Sequence, residues 1–211
     1  MVSGELGAAE ADDAVVDFSV QLEAWLASDH DKTLGDLGEV FSEKSFAVTI
    51  LFLMFIPALP LPTGGISHVF EAISVVVAAQ MVAGRQTLWL PARWAKRSLG
   101  PTTTDKAVPF MIRRIRWFER FTRPRFAYLF THRWSVRLLG LVLMVLSATA
   151  MVAPPFSGLD TLPAMGAVGV ALAIILEDAL VLAIGLAIGS IGALLIFTIG
   201  AAAITLLGEL A

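Results

Sequence analysis

The sequence predicts an all-α fold: a polytopic helical membrane protein with Pro/Gly-interrupted or re-entrant helices and a weak internal two-fold repeat. Three observations predict it. Of 211 residues, 57% are hydrophobic and only 16% are charged, against roughly a quarter charged in an average soluble domain. Mean hydropathy is +0.79. The apolar residues fall into long uncharged runs broken by Pro and Gly, and one Pro-to-polar spacing occurs twice. There is no cysteine, which excludes a disulfide framework, a zinc–thiolate site and a catalytic thiol.

Charge divides the chain into four segments. Residues 1–44 form an acidic N-terminal segment, and 1–45 hold eleven Asp/Glu against Lys32 and Lys44, a net of −9. Within it Phe18, Leu22, Trp25 and Leu26 share one helical face, and Thr33 with Asp36 resembles a capping pair. Leu34, Leu37 and Phe41 continue an apolar stripe. Two short amphipathic helices are expected, lying on the membrane surface or on the protein, after a disordered tail over 1–13. No basic stretch leads an apolar run, so no signal peptide is expected.

Residues 45–84 form a first membrane hairpin. Ser45–Phe70 is uncharged but interrupted by Pro57, Pro60, Pro62, Gly64 and Gly65, and Ala72–Gly84 follows Glu71. Such short runs suit hairpins or re-entrant segments, since a full span needs about 20 helical residues.

Residues 85–137 carry thirteen Lys/Arg against Asp105 and Glu119, a net of +11. Over 107–131 Phe110, Met111, Ile115, Trp117, Phe118 and Phe121 alternate with six arginines. Arginine at mid-bilayer costs about 2.5–3.5 kcal/mol on insertion scales. An interfacial helix is therefore expected, with anionic lipid headgroups as partners and no nucleic acid. The positive-inside bias makes this loop and the N-terminus cytoplasmic and puts Pro154-Pro155 near the outer face.

Residues 138–208 form a second membrane repeat with a C-terminal helix. Leu138–Leu159 reads as a spanning helix and Thr161–Leu176 as a short one. Ala179–Gly208 is about 45 Å long as a helix, too long for one upright span; it must tilt, protrude or break, and its glycines offer breaks. A shift of 97 residues places Pro57 on Pro154 and Gln80 on Glu177. Two Pro-interrupted segments, around 57–65 and 153–163, are expected to meet in the core and line a polar cavity with Gln80, Glu177 and Asp178.

Gln80-Met81-Val82-Ala83-Gly84-Arg85, followed by Trp89-Leu90-Pro91, resembles the hallmark of the exopolysaccharide synthesis ExoD family. So do the Pro60-Leu61-Pro62 turn, Arg123-Pro124-Arg125 after Glu119, and the Pro-rich break before the acidic pair. The resemblance covers roughly 33–208. Ser42-Glu43-Lys44 departs from it, because members favour Gly and Arg around an acid there. The resemblance implies a multi-pass bacterial inner-membrane protein linked to exopolysaccharide production, a link that does not define a molecular activity.

Six residues are candidates for substrate or ion binding. Glu177 and Asp178 are either intramembrane acids, whose desolvation must be offset, or a solvated helix end. Arg85 either pairs with Asp178 or snorkels at the interface. Gln80 can hydrogen-bond across the repeat interface. His68 and Glu71 either lie in a solvated outer loop or open a half-helix that orients a polar ligand. No metallopeptidase, nucleophile-elbow or P-loop motif occurs, and His30, His68 and His132 are too scattered for a metal centre. No enzyme, cofactor or metal is expected. A small transporter is expected, moving a small polar or cationic solute with carboxylate or proton coupling. A non-transporting scaffold of envelope biogenesis is the alternative. Gly185, Gly189 and Ala193 form a small-residue stripe expected to join a homodimer or to pack within the monomer.

Overall fold

A computed structural model of the chain describes residues 18–28, 32–36, 44–59, 66–96, 98–100, 103–122, 126–154 and 157–210. Seven helices carry the architecture: α1 Phe18–Ala27, α2 Ser45–Phe55, α3 Ile66–Val82, α4 Val108–Glu119, α5 Arg133–Val152, α6 Thr161–Leu176 and α7 Ala179–Leu210. Single helical turns at Ala92–Ala95 and Tyr128–Thr131 and a π turn at Thr103–Ala107 join them.

Helix α2 is the axis of the fold, and Ser45 through Met54 are all buried. It starts beside the end of α6, where Lys44 Nζ donates to the Ile175 carbonyl at 2.7 Å. Helices α3 and α5 are also antiparallel and touch closely. A Cβ at Gly140 would lie 2.7 Å from Met81 Cβ and 3.3 Å from the Ala78 carbonyl oxygen. The hairpins α2–α3 and α5–α6 thus both begin at one end, and both turn at the end that holds Pro57 and Pro154. The first is the basic end, where Lys44, Arg85, Arg133 and Arg137 gather.

Of the tilt, protrusion or break expected of the last run, the break does not occur. Residues 179–210 form one continuous helix, and the glycines do not break it. They let it press against α6: Gly185 faces Gly169, Gly189 faces Gly166, and Gly192 faces Pro163. Two of the three stripe residues, Gly185 and Gly189, are therefore spent inside the monomer. Past Pro163 the helix continues beyond its neighbours, and a Cβ at Gly200 would meet nothing within 4 Å. Helix α5 is also shifted from the expected 138–159. It takes in Arg133 and Arg137 and stops at Val152, because the residue before a proline is driven out of the helical region and Pro154 cannot donate. The α5 helix and Ala179–Ala202 are long and apolar enough to cross a membrane, whereas α2, α3 and α6 are shorter apolar helices.

The described part of the acidic segment, residues 18–28 and 32–36, lies on the protein. Thr33 Oγ1 accepts the Asp36 N–H at 3.2 Å, the expected capping bond. Glu119 accepts from Ser19 N–H at 2.9 Å and from its hydroxyl, and Glu23 pairs with Arg116. Trp25 packs edge-on against Phe52 of α2. Helix α4 buries Val108, Met111, Ile112 and Ile115 and sets Phe110 against Phe55. Its apolar face is satisfied by protein, and Arg113 and Arg114 stay exposed. Leu37, Phe41, residues 1–13, 60–65 and the Arg123-Pro124-Arg125 element lie outside the described residues.

Candidate functional site

The six candidate residues do not converge. Helix α3 carries Glu71 near the proline end and Gln80 near the basic end, and α6 delivers Glu177 and Asp178 to the basic end. Among the described residues, the expected cavity shared by Gln80, Glu177, Asp178 and the Pro-interrupted segments does not form. A helix with a proline break at one end and an acid after its other end holds the two apart by its own length, about 24 Å for the 16 residues of α6.

Gln80 is a loop clamp. Its Nε2 donates to the Trp89 carbonyl at 2.9 Å, and its Oε1 accepts the Trp89 N–H at 2.9 Å. A side-chain amide matches a backbone amide donor for acceptor, so this bidentate pair fixes the 85–91 loop. The chain turns into that loop through a Schellman motif, with Arg85 N–H bonded to the Gln80 carbonyl and Gly84 N–H to that of Met81. Gly84 takes φ +75°, the left-handed position that glycine tolerates. The Gln-x-x-x-Gly-Arg and Trp-Leu-Pro pattern is thus one folded corner.

The acidic pair splits in role. Asp178, 1% exposed, accepts the Leu180 N–H at 2.7 Å and caps α7. Arg85 does not pair with it; Arg85 lines a cavity with Glu177. Glu177 is a non-glycine residue at φ 55°. Its carboxylate lies 3.0 Å from Lys44 Nζ, so a salt bridge across α2 and α6 replaces the intramembrane acid of the sequence reading.

That cavity, about 340 Å³, opens at the basic end. Lys44, Arg85, Arg133 and Arg137 line it, with Glu177 as its one carboxylate among the described residues, above a floor of Phe46, Leu139 and Ile174. Arg137 packs over Gly84, where any Cβ would come within 2.7 Å of its Nη2. Lys44, Arg133 and Arg137 escaped the sequence reading because they belong to two helix starts far apart in the chain, Lys44 at that of α2 and both arginines at that of α5. The position of a glycine beside Arg85 was the only available signal.

The opposite end holds the second set. Residues 66–82 are helical, so His68 and Glu71 are not in a solvated loop. Glu71 is fully buried, and His68 Nδ1 lies 2.7 Å from its Oε2. Among the described residues its Oε1 has no partner, and neither do the buried hydroxyls of Thr49, Ser74 and Ser147. Helical hydroxyls commonly bond the carbonyl four residues back, as Thr149 does to Val145 at 2.8 Å. These three do not. Ser74 lies one turn beyond Glu71 on α3, Thr49 is on α2 and Ser147 on α5, so these polar atoms are spread over three helices of the bundle. Ser74, Ser147 and Thr49 were missed because a lone hydroxyl in an apolar run carries no periodic signal.

These features define a small helical-bundle protein with a cation-lined cavity at one end and a buried carboxylate toward the other. The chain belongs to the family described as exopolysaccharide synthesis, ExoD, whose model matches residues 18–198. It is 31% identical over 126 residues to "Uncharacterized protein slr1875" of Synechocystis sp. (strain ATCC 27184 / PCC 6803 / Kazusa), a match that covers 60% of this chain and 58% of that relative. The chain thus matches less than two thirds of that relative's length. No solved structure matches it.

Proposed function

We propose that this ExoD-family protein is a multi-pass protein of the bacterial inner membrane that moves a small cationic or polar solute, coupled to a proton or cation at Glu71. It is not an enzyme in this reading. One observation carries the proposal: a carboxylate with zero exposure, one oxygen on His68 and the other without a protein partner. A buried carboxylate holds its place only against a cation, a proton or a full set of hydrogen bonds. Here the protein supplies one bond, so the remaining oxygen is left for a transported proton or cation. The hydroxyls of Ser74, Ser147 and Thr49 extend that polar environment along the bundle. The membrane setting draws on the two long apolar helices, whose 18-residue windows are only 39% and 28% buried inside the protein. Soluble core helices are mostly covered. The two hairpins that begin at the same end suit a parallel repeat rather than an inverted one.

The test is ion flux in proteoliposomes, with a pH-sensitive dye under imposed proton, sodium or potassium gradients. Glu71→Gln keeps the shape and the acceptor oxygen but removes the charge. It should abolish flux while the protein remains monodisperse and helical. Unchanged flux in Glu71→Gln would remove Glu71 from the coupling, and no flux in wild type under any gradient would leave the non-transporting envelope scaffold as the better reading.

A further inference from the structure

We propose that the basic-end cavity binds a phosphate-type oxyanion carried on an amphiphile, with Arg85, Arg133 and Arg137 as the recognising groups. The site lies at the other end of the bundle from Glu71, ~15 Å along α3 counted from Glu71 to Met81. It stands or falls independently of the transport reading.

Four cations converge on this concave volume of about 340 Å³. One of them is already used. Lys44 is held by Glu177 at 3.0 Å and by the Ile175 carbonyl at 2.7 Å. The three arginines have no carboxylate partner among the described residues. Like charges held together on a partly apolar wall repel, and an anion between them relieves that repulsion. Arg137 Nε is buried and has no hydrogen-bond acceptor. Its guanidinium is held by Gly84 beneath it and by Trp134, 5.5 Å from the ring centroid. A positioned guanidinium with an unmatched N–H selects a planar or tetrahedral oxyanion over a simple halide, because its forked donors match two oxygens at once. The floor of Phe46, Leu139 and Ile174 adds apolar surface for the stem of an amphiphile. Polar rim and apolar floor together fit a phospholipid headgroup better than a bare ion.

The experiment is calorimetric titration of the full chain in mild detergent with short-chain phosphatidic acid, inorganic phosphate and short-chain phosphatidylcholine. Arg85→Gln and Arg133→Gln are exposed changes that should leave folding intact. Arg113→Gln is an equally exposed control on α4, away from the cavity. Saturable binding of phosphatidic acid, weakened about tenfold or more by Arg85→Gln and Arg133→Gln and unaltered by Arg113→Gln, supports the proposal with a lipid source. The same pattern with inorganic phosphate binding as tightly supports it with a free oxyanion as the source. Absence of saturable binding to either probe overturns it. Equal weakening by Arg113→Gln, or equal affinity for phosphatidylcholine, overturns it as well, since binding would then be diffuse or driven by the acyl chains.

Discussion

Glu177 shows how one residue can carry strain and a contact together. Its φ of 55° costs a non-glycine residue roughly 1–2 kcal/mol, and its half-exposed bridge to Lys44 returns about 0–1 kcal/mol. Strain kept at a cavity wall points to a role beyond stability. Glycine at 177 would relieve the backbone, lose the bridge and add unfolded-state entropy, which nearly cancel. Glu177→Gly should therefore leave the thermal midpoint in detergent within a few degrees of wild type. Glu177→Ala keeps the strain and loses the bridge, so it should melt lower than Glu177→Gly. Equal melting of the two would show that the left-handed conformation carries no strain. The same scale explains why Gln80 looked like a ligand. An amide side chain in an apolar run advertises a polar contact, but only the folded corner supplies Trp89 as its partner at 2.9 Å.

At the level of elements, α6 and α7 meet through glycine on both sides. A Cβ at Gly185 would lie 2.8 Å from the Gly169 carbonyl carbon and the Val170 nitrogen. Backbone cannot yield as a flexible side chain does, so Gly185→Leu should destabilise the protein by about 3 kcal/mol or fail to fold. On the same helix Gly200→Leu should be neutral or stabilising, by up to about 1 kcal/mol, since nothing lies within 4 Å and leucine is the better helix former. Chemical denaturation of the two variants side by side checks this; similar losses would place Gly200 in a contact absent from the monomer. The contrast also shows what was legible. The 16-residue run 161–176 emerged as a helix with the expected ends, because an acid on each side left no choice. The 30-residue run did not disclose whether it breaks, because glycine serves equally as a hinge and as a packing surface. Only α6 alongside decides between the two.

For the whole molecule, the segregation of charge along the chain becomes complementarity across the fold. The acidic segment meets the basic one through Glu23 and Arg116, while α2 between them is buried. In our reading the basic end faces the cytoplasm. The chain has no cysteine, so Ser98→Cys, at an exposed position in the basic segment, provides a single labelling site. An impermeant maleimide should label it in broken but not in intact cells. Labelling in intact cells would reverse the orientation. The sequence by itself determined the helical class and the family, because hydrophobic run length and a contiguous motif are local and additive along the chain. Tertiary structure alone decided which polar residues share a site. Helices of 16 or 17 residues put Glu71 and Glu177 at opposite ends, and antiparallel pairing brought Arg85 to Arg137. Such groupings depend on which helix faces meet, and a one-dimensional pattern does not encode that when nearly every face is apolar.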